Sequence, residues 1–130
     1  TFRLQRAAIR YYDSRAGAGK VVEVCRIAAS KMMVLGAGQP LHSARDDFLR
    51  WTIAMPVAVK DYLRAYAGAP EELHGILRQN DAVKMRAAAH QPLYVLHMMR
   101  MASLKSCQHS EMKMEPTLAA MSYDGLSKSL

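Results

Sequence analysis

The strongest constraint on this chain is the spacing of small and apolar residues between Phe2 and about Leu35. Ala8, Tyr12, Ala16, Gly19, Val22, Cys25, Ala29 and Met32 recur every three or four positions. That period places them on one face of a long helix. Arg3, Arg6 and Arg10 share a different face. The stretch "GAGQP", Gly36 to Pro40, then ends the helix with a glycine stop followed by a proline.

Within this helix the string GAGK, Gly17 to Lys20, invites a phosphate-loop reading, and its spacing rejects that reading. Such a loop needs a glycine five positions before the Gly-Lys pair, to open the turn. It also needs a Ser or Thr directly after the lysine, to bind magnesium. Ser14 and Val21 stand at those positions, and the polar run "RYYDSR" precedes Gly17 where a hydrophobic strand should lead in. The small residues are packing positions instead. Ala16 and Gly19 let another backbone come close, at a propensity cost of about 1 kcal/mol for each glycine.

The rest of the chain reads as shorter helices. Ser43 is the expected N-cap of a second helix, with Asp46 and Asp47 in its first turn, where carboxylates suit the helix dipole. This helix runs through Phe48, Trp51, Ile53, Met55, Val59, Tyr62 and Leu63, and Pro56 inside it should kink it or leave one carbonyl free. A short helix is expected from Pro70 to Leu77 and another from Asp81 to about Ala88. "HQPL" restarts the chain, with Pro92 in the first turn of a helix reaching about Cys107. The polar linker "QHSEMKME" precedes a last helix from Pro116 onward. No segment alternates as a strand would, and neither repeats nor low-complexity tracts occur. The expected fold class is all-α, built of long amphipathic helices, with residues 1–130 forming a single helical region.

Composition narrows the partners. Hydrophobic residues make up 51% of the chain, which excludes a disordered tail, and the formal net charge is +7. That charge favours an anionic partner: nucleic acid, a membrane surface or small anions. The longest apolar run, "WTIAMPVAV" from Trp51 to Val59, is too short to span a membrane and carries Pro56. The chain opens on Thr1 within a helical pattern, so we expect a piece of a larger protein. Cys25 and Cys107 lack metal-type spacing and read as buried reduced thiols.

Residues able to do chemistry do not assemble into a recognisable catalytic pattern. The five histidines, His42, His74, His90, His97 and His109, contain no H-x-x-x-H pair. They read as surface or capping residues. The pairs Asp46-Asp47 and Glu71-Glu72 sit at expected helix starts, where dipole compensation accounts for them. No nucleophile elbow is present. Neither an enzyme, a metal nor a cofactor is expected. The ten methionines suit soft core packing. Arg3, Arg10, Arg15 and Arg26 admit two readings: solvated or paired with Asp13 and Glu23, or lining a surface that attracts anions.

At this point a family pattern emerges. "FRLQRAAIRYYDSRAGAGKVVEVCR", Phe2 to Arg26, resembles the segment after the second membrane helix of bestrophins and bestrophin-like anion channels. The family pattern is roughly F-R-x-x-x-A-x-x-R-[YW]-x-[DE]-x-R-x-x-x-G-x-x-[VI]-x-x-x-R. Phe2, Arg3, Ala7, Arg10, Tyr11, Asp13, Arg15, Gly19, Val22 and Arg26 meet it without a gap. "RWTIAMPVAVKDYLR", Arg50 to Arg64, resembles the second cytosolic helix of the chloroplast and bacterial branch. "HQPLYVLHMM", with Pro92, is similar to its H-x-P-L segment. "TLAAMSYDGLSKSL" resembles the helix leading to the family's neck. Leu4-Gln5, Ala18 and Glu23 depart from the Thr-Asn, Trp and Asn that the family usually has there.

The resemblance implies an extramembrane helical part of an anion channel, serving as pore wall and oligomerisation unit. Five copies would surround an axial pore on the cytosolic or stromal side, with membrane attachment through other segments. Chloride, and in some members bicarbonate, would be the partner, in a bacterial inner membrane or a chloroplast membrane. Gly19 would be a close-approach point between helices. A second constriction would fall near Leu118, Met121 or Ser122. The rival reading, from charge alone, is a basic helical module for nucleic acid or an acidic protein. It lacks a helix-turn-helix or an aromatic platform, so no nucleic-acid partner is expected.

Overall fold

The computed structural model describes residues 1–35, 42–65 and 71–108. Four α-helices account for most of these: α1 (Phe2–Leu35), α2 (His42–Leu63), α3 (Gln79–Ala87) and α4 (Gln91–Gln108). A single 3₁₀ turn, Glu71–Leu73, lies between α2 and α3. No strand occurs among the described residues, and an isolated bridge between His74 and Leu77 closes a turn. The fold is all-α.

The central element is α2, which packs most extensively on α4 and less so on α1. Ala44, Phe48, Trp51, Met55 and Ala58 follow a three-to-four-residue rhythm along it, and all five are buried. The small side chains of Ala54 and Ala58, both fully buried, let neighbouring helices come close. Val95, Met99 and Ala102 form the matching stripe on α4, and Met85 plugs the core from α3. Met55, Met85 and Met99 are among the largest fully buried side chains, so unbranched thioethers fill the irregular space between three helices. Pro56 does not interrupt α2. Its missing N–H leaves the Thr52 carbonyl without that helical donor, while the Thr52 hydroxyl donates to the Phe48 carbonyl at 2.8 Å.

Several expected boundaries change. The second helix starts at His42, so Ser43 lies inside it and Asp46 and Asp47 fall beyond its first turn. Asp47 instead pairs with Arg78 at 3.1 Å, tying α2 to the residue that precedes α3. The helix expected from Pro70 to Leu77 shrinks to the 3₁₀ turn, because Gly75 takes φ +82°, a left-handed conformation no helix continues through. Glu72 there reaches Lys60 on α2 at 2.6 Å. The third helix begins two residues before Asp81. The linker, the expected last helix from Pro116 and the segment "GAGQP" lie outside the described residues.

The long first helix departs most from expectation. Only its C-terminal part packs: Cys25, Ala28 and Met32 are buried, with Val21 and Val24 partly so. Val22, expected on the packed face, is exposed. Every residue from Thr1 to Lys20 is exposed. These residues form an arm about 30 Å long at the usual helical rise.

Candidate functional site

The candidate residues divide between this arm and the packed body. Phe2, Arg3, Arg10, Tyr11, Asp13, Arg15 and Gly19 all lie on the arm and are exposed; Arg26 is exposed just beyond it. None of the arginines among them forms an ion pair with a described residue; Glu23 pairs instead with Lys20, at 3.1 Å. No described carboxylate neutralises these arginines, Asp13 included. Large apolar side chains stand beside them, with Phe2 80% and Leu4 78% exposed and Ile9 and Tyr12 more than half so. The Tyr11 and Tyr12 rings meet edge to face at 5.7 Å. Beyond its own helix backbone and chain neighbours, no atom of the described residues lies within 4 Å of where a Gly19 Cβ would stand.

Arg50, Trp51 and Pro92 sit in the body. Arg50 donates from Nη1 to the Ile76 carbonyl at 3.4 Å, holding the turn after the 3₁₀ segment against α2. Trp51, 3% exposed, meets Tyr94 of α4 edge to face at 5.9 Å. Pro92 is buried in the first turn of α4. Burial, and secondarily the charge of Asp81, raise the Tyr94 phenol above its ordinary pKa. Burial likewise pushes the Cys25 thiol up to about 11, so it stays protonated at neutral pH. Leu118, Met121 and Ser122 lie outside the described residues, as does the side chain of Cys107.

His90 caps α4: the Leu93 N–H donates to its Nδ1 at 3.3 Å. His74 and His97 are exposed, and no group of three His, Cys, Asp or Glu converges among the described residues. Two buried acceptors, Asp61 Oδ2 and Gln91 Oε1, have no hydrogen-bond partner among the described residues. Sequence reading passed over both, because their burial depends on how α2 and α4 dock. No described helix is long and apolar enough to cross a membrane.

The site is thus a basic, apolar-flanked helical arm projecting from a small helical body. Residues 1–127 match the family described as bacterial and fungal bestrophin proteins. The chain belongs to the bestrophin family. No curated protein and no solved structure matches it. Membership of this family of ion channels suggests an anion-channel function. In this bestrophin the family pattern from Phe2 to Arg26 is carried by α1, most of it on the exposed arm.

Proposed function

We propose that this bestrophin chain forms the extramembrane pore wall and oligomerisation unit of a chloride-conducting channel, five copies surrounding one axis. Membrane attachment would come through spanning segments of the full-length protein. One observation carries the proposal: the arm exposes a basic stripe between two apolar flanks, and no described residue packs on it or pairs with it. At about 100° per residue, Arg3, Arg6 and Arg10 form a narrow stripe. Leu4 and Tyr11 lie to one side of it, and Phe2 and Ile9 to the other.

A helix of this kind suits a ring. The two flanks bury against neighbouring copies, removing apolar surface that a solitary chain leaves in water. The stripe then faces the lumen, where clustered guanidinium groups raise the local anion concentration.

The test uses the full-length gene product reconstituted in liposomes. It should run as an oligomer of five copies by light scattering and release chloride. Replacing Arg3 and Arg10 with Gln should slow release several-fold and leave the oligomer intact. A monomer that releases no chloride but binds duplex DNA with a steep salt dependence would instead favour the basic binding module.

A further inference from the structure

Beside the last turn of α2 and the first turns of α4 lies a cavity of about 470 Å³. That volume falls within the usual range of small-molecule sites. Its walls are apolar: Val59 and Leu63 come from α2, Pro92 and Leu96 from α4. Pro92, Leu96 and Arg100 are four residues apart and so share one face of α4. Arg100 also lines the cavity and forms no ion pair among the described residues.

His90 supplies a second polar group. Its ring stacks on Tyr62 at 4.2 Å, and its Nδ1 is occupied as acceptor for the Leu93 N–H. A neutral ring whose Nδ1 accepts carries its proton on Nε2. The helix cap therefore fixes the tautomer that leaves an N–H donor. No carboxylate among the described residues lines the cavity. A guanidinium and an imidazole N–H beside an apolar floor select a ligand with a negative oxygen group at one end and a hydrocarbon body. A bare halide satisfies only half of these walls.

We infer that this cavity binds a small carboxylate carrying an apolar ring or chain. The carboxylate pairs with Arg100 at one end, and the body packs on Leu63 and Leu96 toward the His90 ring. The site belongs to the body of the fold and does not depend on the channel reading.

Phenylacetate titrated into the full chain tests this. Saturable shifts are expected in the methyl resonances of Leu63, Leu93 and Leu96. Arg100→Gln, at an exposed position, should weaken binding at least about tenfold by removing a charge-assisted bond. His90→Asn retains a capping acceptor and should also weaken binding. Benzyl alcohol, with the same ring and no charge, should bind more weakly than phenylacetate and be indifferent to Arg100→Gln. Absence of saturable shifts, or equal phenylacetate affinity in the parent and Arg100→Gln chains, would overturn the assignment.

Discussion

Replacing Trp51 with Ala should remove most of the stability of the helical body. Trp51 is 3% exposed and sits where α2 meets α4, its ring against Tyr94 at 5.9 Å. A buried indole removes about 200 Å² from water, which at about 25 cal/mol per Å² comes to about 5 kcal/mol. The unfolded chain already hides some of that area, so about 3–5 kcal/mol is expected, in line with other aromatic truncations. Domains of this size hold about 5–15 kcal/mol in total. Urea melts followed by far-ultraviolet circular dichroism read the change directly. Trp51 is the only tryptophan, so its emission in the parent chain reports the α2–α4 contact alone. Phe2→Ala is the control: at 80% exposure it should cost less than about 0.5 kcal/mol. Equal losses in the two variants would refute the division into packed body and unpartnered arm.

Three smaller effects follow from local geometry. Gly19→Ala adds a Cβ that meets nothing within 4 Å and should raise helix stability by up to about 1 kcal/mol in thermal melts; a fall would reveal a close neighbour inside the chain. Ala65, at the end of α2, holds φ 52°, so Ala65→Gly should stabilise by roughly 0.5–1 kcal/mol in urea melts. Burial raises the Cys25 thiol from 9.0 to about 11, so the folded chain keeps a proton that the unfolded chain releases. Stability is unaffected below pH 9.0 and should fall between there and about pH 11. Cys25→Ala should flatten that part of the profile.

What could be read from sequence was what depends on near neighbours along the chain. The long helix, α2 and α4 were legible because apolar residues repeat over many turns, and Pro92 marked the start of α4. The stretch from Glu71 to Leu77 was misread because it is too short for a period to show, and Gly75 breaks any helix there. The stripe on α1 failed differently. Spacing says which residues share a face; it does not say whether anything covers that face. The packed residues proved to be Cys25, Ala28 and Met32, while Tyr12, Ala16 and Gly19 are left bare. The pairs Asp47–Arg78, Lys60–Glu72 and Tyr62–His90 were invisible, since each depends on where the chain reverses. The family pattern was legible because ten matching positions lie in one uninterrupted helix.

The most direct test of the central claim is the reversal potential of the full-length gene product in a planar bilayer under a potassium chloride gradient. The account predicts a value near the chloride equilibrium potential, moving toward zero when Arg3 and Arg10 are both replaced with Glu. A current that ignores the gradient of chloride, or a selectivity untouched by that charge reversal, would contradict an arginine stripe lining the anion path.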